Sequence, residues 1–435
     1  MPQEIRLNAA SHPTKSQHDF HLMVITHPKK PSDIPSMATT HLSKSHKRHT
    51  PPHRYDMKNV GLYIHIPFCK SRCLYCGFYS TTFHDIRQRY TDALLAEMEM
   101  RRDELAPLYG HSAPLPADTL YLGGGTPSAL DIHDVSRIVQ KARDITCRSL
   151  EEVTMEVNPD DVTAEMATAI ADMGINRVSM GIQTFDDKRL RFLRRRHTAA
   201  QAMEAVGTLR RCGVKNISVD LMFGFPQQTA QEWQNDIDKA LSLAPEHISA
   251  YSLMYEEGTP LHAMLQDGRV RQLGDEACLD MYNALADSLT SHGYEHYEIS
   301  NFAKPRHRAM HNSKYWNDTP YLGFGAAAHS YSIDKRSWNI ADIHKYISSI
   351  ANGQLPSEHE LIDETTHYND LVTTAMRTRE GLCLDMLTPS QRQTALDNAA
   401  PHLENGLLQL SGSHLALTRK GLFVSDMVMS DMMIV

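Results

Sequence analysis

Three cysteines carry the most specific chemistry in this chain. Cys69, Cys73 and Cys76 stand in C-x3-C-x2-C spacing within GLYIHIPFCKSRCLYCGFYS. Three thiolates on one loop suit three irons of a [4Fe–4S] cluster, which a fourth would close. The remaining iron stays open, by the logic that keeps one position free on a catalytic zinc. Its natural occupant is S-adenosylmethionine, whose amino and carboxylate groups can chelate that iron. An electron from the cluster would then cleave the sulfonium and release a 5′-deoxyadenosyl radical. A three-Cys zinc site and three unrelated thiols are the competing readings. Zinc ordinarily takes a fourth protein ligand and often uses paired knuckles. The strand before Cys69 and the aromatic Tyr75 before the last cysteine favour the cluster. Cys147, Cys212, Cys278 and Cys383 are scattered and read as small buried hydrophobes.

Further groups stand at the ends of short apolar runs. Gly123-Gly124-Gly125-Thr126-Pro127 follows one run, and glycines there admit close approach of backbone to a ligand. The same residues would also make a plain tight turn. Glu156 and Asn158 end MEVNP, Gln183 ends GIQTF, and Asp220 opens the end of VDLMFGFP. Carboxylates and amides suit ribose hydroxyls and an amino group, and an arginine suits a carboxylate. RFLRRRH offers Arg194, Arg195 and Arg196, although such a run is more often a solvated basic face.

The elements that must position these groups follow a rhythm from residue 60 onward. Predicted strands at 62–66, 119–122, 153–157, 177–181, 216–222 and 247–253 alternate with helical patterns at 85–102, 131–142, 164–173, 199–212 and 230–242. This is α/β alternation with a parallel sheet and right-handed crossovers. The chemical residues fall at C-terminal strand ends, as in a βα barrel. A doubly wound sheet would place them there too. A helix at 273–291 and a strand at 294–299 come next. The end of the chain reads as helices at 361–379 and 391–404, strands at 407–410 and 415–417, and a helix from 419. That order resembles a small winged-helix-like α+β module. Its DMVMSDMMIV terminus reads as a docking helix face.

Composition bounds the rest. The chain has 435 residues, with 44 Lys and Arg against 52 Asp and Glu, a net charge of −8. That balance gives no overall drive toward nucleic acid, and Arg419-Lys420 is too sparse for strong phosphate binding. Hydrophobic residues at 41% can build a core, and no apolar run approaches the ~18 residues of a membrane span. An odd 7 cysteines argues against a secreted disulfide framework. Residues 1–57, rich in His, Lys, Ser, Thr and Pro, read as a disordered leader without a secretory apolar core. A start at Met57 is the simpler expectation.

Together the cysteine triplet, GGGTP, MEVNP, GIQTF and VDLMFGFP resemble the radical SAM superfamily. Within it the chain is similar to the oxygen-independent coproporphyrinogen III oxidase family and its heme-chaperone branch. The resemblance covers about residues 58–430. It implies a partial (β/α)6 barrel at 58–300, a connecting segment at 301–360 and a family-specific C-terminal domain at 361–435. It also implies that Gly124, Gly125 and Thr126 meet the methionine part of the cofactor. Glu156, Gln183, Arg195 and Asp220 would line the cofactor site, with Tyr63 and Tyr75 near the cluster. Arg195 is chosen by its spacing, twelve residues after Gln183.

Two functions share that scaffold. The oxidase decarboxylates two propionates of coproporphyrinogen III and carries a further cysteine two residues past the triplet. Phe78 stands there in this chain, and Tyr75 replaces the oxidase's phenylalanine. The heme-binding branch carries H-N-x-x-Y-W, which His311 to Trp316 match. A neutral imidazole can ligate heme iron, and Tyr and Trp offer flat faces to a macrocycle. A packed aromatic cluster around a hydrogen-bonded His is the alternative. His329 in GFGAAAHSY is a second candidate ligand. The expectation is a cytoplasmic protein, peripheral to the membrane at most. It would use an electron donor for its cluster and deliver heme to an acceptor such as a respiratory enzyme.

Overall fold

The computed structural model describes residues 59–83, 85–105 and 115–434. The leader lies outside these residues. Six parallel strands form the centre: β1 (Val60–Ile66), β2 (Ala117–Gly124), β3 (Glu152–Val157), β4 (Arg177–Gln183), β5 (Asn216–Phe223) and β6 (His247–Ser252). They lie side by side in chain order with no reversal. A doubly wound sheet reverses its order at a switch point, so this winding is the barrel type. The crossover helices Ile132–Asp144, Ala164–Asp172, Ala199–Arg211 and Ala230–Ser242 all begin at capping side chains, from Asp131, Thr163, Thr198 and Thr229. Thr198 and Thr229 form full capping boxes with Gln201 and Glu232.

Residues 301–360, expected to be a connection, instead extend this sheet. β7 (Glu295–Glu298) and β8 (Asn301–Ala303) form a hairpin that caps β6 antiparallel. β9 (Tyr321–Phe324) joins the other edge, parallel to β1, followed by β10 (His329–Tyr331), β11 (Lys335–Asn339) and β12 (Ser357–Leu361). Among the described residues the sheet has 12 strands and stays open, a partial barrel.

The strands alternate strictly. Leu62, Ile64, Leu120, Leu122, Met155, Val178, Val219 and Ile248 are buried in one apolar core with Leu94, Met98, Ile138 and Trp233 of the helices. Each fully buried aliphatic side chain contributes about 1.5–3 kcal/mol. The opposite face bears Tyr63, His65, Tyr121, Thr154, Glu156, Arg177, Ser179, Asp220 and His247. A period of two thus puts apolar residues under the helices and polar ones in the barrel lumen.

The last segment has its own core of Tyr368, Val372, Met376, Leu415, Val428 and Met432. Helices Glu364–Ala375 and Pro389–Glu404 precede a small antiparallel sheet of β13 (Leu382–Cys383), β14 (Leu408–Ser411) and β15 (His414–Leu417). Helix Ser425–Met432 turns Met429 and Met432 into that core. Among the described residues no helix is long and apolar enough to cross a membrane.

Candidate cofactor site at the open end of the barrel

β1 delivers the chain to the cysteine loop. The loop is closed by Cys69 N donating to Thr81 O at 2.9 Å and by Thr81 N donating to Pro67 O at 2.6 Å. Leu74 rivets it from above. That side chain is buried with Leu193, Phe225, Tyr255 and Leu261, and its backbone bonds to Leu193 and Leu261. Lys70 pairs with Asp161 at 2.5 Å, tying the loop to the turn after β3, and Ser128 donates to the same carboxylate. The three thiols are all partly accessible.

Two groups approach the sulfurs. Thr126 Oγ1 lies 3.6 Å from Cys69 Sγ, and Arg195 Nη1 lies 3.6 Å from Cys73 Sγ. Burial pushes the Cys69 thiol up and the Cys76 thiol up to about 12. Bound iron would reverse that cost, because a coordinated thiol is deprotonated outright. Among the described residues no three His, Cys, Asp or Glu side chains converge on a single ion.

The glycine turn is a cradle with no room for side chains. A Cβ on Gly125 would stand 2.8 Å from the Ile66 carbonyl oxygen. Gly124 has φ +105°, and a Cβ there would meet the His65 ring at 2.5 Å. The Gly124 N–H donates to Glu156 Oε2 at 3.1 Å, and Tyr121 OH donates to Glu156 Oε1 at 2.7 Å. Burial raises Glu156 to about 7. Asp220 accepts from Ser179 OH at 3.3 Å, and burial raises it to about 6. In both, burial disfavours the charged form. Gln183 ends β4 in the left-handed region, φ +71°, at a bulge that breaks the ladder with β5. Strain of this kind, about 1–3 kcal/mol, clusters at ligand sites.

Of the three arginines, Arg195 turns inward. Its Nη2 donates to Asn158 Oδ1 at 2.7 Å and to Gly181 O at 2.5 Å, and its Nε is buried without a partner. Arg196 instead pairs with Asp160 at 2.6 Å, and Arg194 is exposed. Tyr75 projects from the cysteine loop into the field of Cys73, Arg195, Cys76 and Asp220. Tyr63 lies in the lumen, hydrogen-bonded to His65 at 3.0 Å and stacked on Tyr121 at 6.2 Å. The structure therefore brings Gly124, Gly125, Thr126, Glu156, Gln183, Arg195 and Asp220 to the end of the barrel that holds Cys69, Cys73 and Cys76. The donor set fits both groups: three thiols for iron, carboxylates for a cation, and an arginine with an orphaned N–H for a carboxylate. Asn158, His65 and Asp161 serve the same region. Asn158 and the NPDD turn were visible as polar residues past β3; His65 had no signal beyond its place in β1.

His311 lies elsewhere. Helix Met310–Lys314 plugs the opposite, N-terminal end of the lumen, where Glu152 accepts from the Met310 and His311 N–H groups at 2.9 and 2.8 Å. The imidazole is fully buried between Thr119 Oγ1 at 3.0 Å and Tyr315 OH at 2.8 Å, and it stacks on Tyr121. Burial lowers it to about 3. Both ring nitrogens are engaged, so in this conformation His311 stands as a floor residue of the lumen. Trp316 is covered by Arg377 at 5.1 Å, itself paired with Glu298. His329 stacks on Trp338 at 6.1 Å and does not join His311.

An open parallel barrel with a C-x3-C-x2-C loop and a glycine cradle at its C-terminal end defines a radical SAM protein. The family model described as "Radical SAM superfamily" matches residues 63–240, and that described as "HemN C-terminal domain" matches 362–424. The chain belongs to the radical SAM superfamily, with a HemN-type C-terminal domain. It is similar to the heme chaperone HemW of Bacillus subtilis, 33% identical over 380 residues, covering 84% of this chain and 97% of that one. It is also similar to HemW of Mycobacterium tuberculosis, 31% identical over 375 residues, 85% and 93% of the two chains. Among solved structures, the coproporphyrinogen III oxidase HemN of Escherichia coli superposes with a TM-score of 0.73 at 22% identity. That match covers 87% of this chain and 91% of that one, a likeness of fold. Membership of the family implies a [4Fe–4S] cluster and S-adenosylmethionine.

Proposed function

We propose that this chain is a heme chaperone of the radical SAM type. It holds one [4Fe–4S] cluster on Cys69, Cys73 and Cys76 and S-adenosylmethionine at the open iron, and it passes heme to an acceptor protein. When bound, the cluster supplies a single electron to the sulfonium. Glu156 and Asp220 are suited to the cationic amino and sulfonium groups and the ribose. Arg195, with its orphaned Nε, is suited to the carboxylate, and Gly124, Gly125 and Thr126 to the methionine backbone. The observation that carries the chaperone reading is Phe78, where the oxidase has its further cysteine. The names of the relatives support it.

Heme reaches His311 only when helix Met310–Lys314 leaves the barrel floor. That opening breaks the two bonds to Glu152, the Lys314–Asp118 pair and the Arg377–Trp316 stack. An electron donor for the cluster and a heme-accepting protein, such as a respiratory enzyme, are the partners this function needs. A cytoplasmic place, touching the membrane at most from its surface, suits that transfer. The alternative, radical decarboxylation of coproporphyrinogen III, shares the fold of HemN. Anaerobic heme titration of the reconstituted protein, followed by transfer to an apo heme protein, tests the proposal. Saturable uptake and transfer support it. Turnover of coproporphyrinogen III with a reductant and no heme uptake overturns it.

A further inference from the structure

Arg177 is the largest charged side chain sealed inside the barrel. It opens β4 on the lumen face and is 1% exposed. Its register neighbours are Thr154 on β3 and Asn216 on β5. Arg177 Nε, Thr154 Oγ1 and Asn216 Oδ1 are each buried without a partner. Among the described residues none accepts a hydrogen bond from the guanidinium, and none lies within ion-pair distance of it. A buried guanidinium N–H without an acceptor is costly to leave dry. A row of orphaned polar atoms across three strands is instead the setting of buried water, which needs two to four polar partners.

The charge beneath has a counterpart above. Ser179, two residues along β4 and on the same face, lies beside Glu156 in register and donates to Asp220. Glu156 thus sits about one strand repeat, ~7 Å, above the level of Arg177, and Asp220, in register with Gly181, stands two repeats up with its carboxylate bonded to the Ser179 hydroxyl. Glu156 is faced otherwise by Tyr121 and by the field of Tyr63 and Tyr315, none of them cationic. Asp220 is faced by Ser249 and Tyr251, and by Arg195, which is committed to Cys73, Asn158 and Gly181. The floor cation Lys314 is committed to Asp118 and His311 is neutral. Arg177 lowers the protonation of both carboxylates from below.

We propose that Arg177 is a positioning residue for the cofactor: through a buried water layer it keeps Glu156 and Asp220 ionised and aimed at a cationic ligand above them. The proposal rests on the reading that S-adenosylmethionine occupies that end of the barrel. Without Arg177 the two carboxylates hold their protons to higher pH, and a protonated pair no longer attracts a sulfonium.

The test is anaerobic equilibrium binding of S-adenosylmethionine to the full-length, cluster-reconstituted protein at about pH 6 and about pH 8, for wild type, Arg177→Met and Arg177→Lys. Arg177→Met should bind about tenfold more weakly than wild type at the lower pH and near wild type at the higher, since one pKa unit is tenfold in occupancy of the charged form. Arg177→Lys, which keeps the charge, should track wild type. Equal weakening of Arg177→Met at both pH values marks a merely structural role and overturns the proposal, as does no weakening at either. Should Arg177→Met fail to fold, a high-resolution crystal structure of wild type decides. Waters bridging the guanidinium to the two carboxylates support the proposal, and a dry floor overturns it. If wild type itself does not bind S-adenosylmethionine, the cofactor reading fails and this one with it. If wild type binds and the profiles run parallel, only the role of Arg177 fails.

Discussion

Replacing Glu156 by Gln should stabilise the cofactor-free protein at neutral pH while weakening cofactor binding. Glu156 is fully buried, and burial raises its pKa from 4.5 to about 7. The folded state therefore binds the proton more tightly than the unfolded state. Unfolding releases a proton between those two values, so stability falls as pH rises through that window and is lowest above it. The span from 4.5 to about 7 corresponds to about 3 kcal/mol at about 1.4 kcal/mol per pKa unit. A glutamine in its place carries no such slope. The amide can still accept from Tyr121 but not also from the Gly124 N–H, a pH-independent loss of about 1 kcal/mol. The variant should thus be less stable than wild type by about 1 kcal/mol near pH 4.5 and more stable by about 2 kcal/mol near pH 8. Urea unfolding of the apo protein under anaerobic, reducing conditions at both pH values measures it. If wild type and variant lose stability equally between them, Glu156 is not a strained carboxylate and the reasoning fails.

Alanine at Cys69, Cys73 or Cys76 should each abolish the cluster, read as loss of brown colour and of ~3–4 irons per chain. A triple variant that still reconstitutes fully would refute the ligand set. Gly125→Ala places a Cβ against the Ile66 carbonyl and should unseat the cysteine loop, lowering iron incorporation at least severalfold while circular dichroism stays native. Arg377→Ala leaves Glu298 buried and unpaired and should cost about 3–5 kcal/mol in chemical denaturation. A loss under about 1 kcal/mol would mean the pair is solvated.

The cofactor end was legible because its signals are local. A cysteine spacing, a glycine turn after a strand and single polar residues at strand ends survive without knowledge of the fold. Arg195 could be picked from three arginines by its distance from Gln183, and it alone turns to Cys73. Barrel and doubly wound sheet could not be told apart, because strand order is a property of tertiary pairing. Strands β8 to β12 escaped notice since edges of three to five residues carry too little period to register. The place of the H-N-x-x-Y-W segment was hidden for a related reason: its residue types suit a macrocycle, but only the topology shows that helix returning to the barrel floor, where Thr119 and Glu152 meet its polar groups and Tyr121 stacks on His311. Arg177 gave no signal at all, since an arginine at the start of a strand ordinarily points to water.

Anaerobic titration of the reconstituted protein with heme, followed by absorption, tests the central claim most directly. The account predicts saturation near one heme per chain with a shifted Soret band, and release of that heme to an apo heme protein added afterwards. His311→Ala should weaken the band, because the floor helix must open to offer that imidazole. Absorption that rises without saturation, together with turnover of coproporphyrinogen III, would contradict the chaperone account and return the chain to the oxidases.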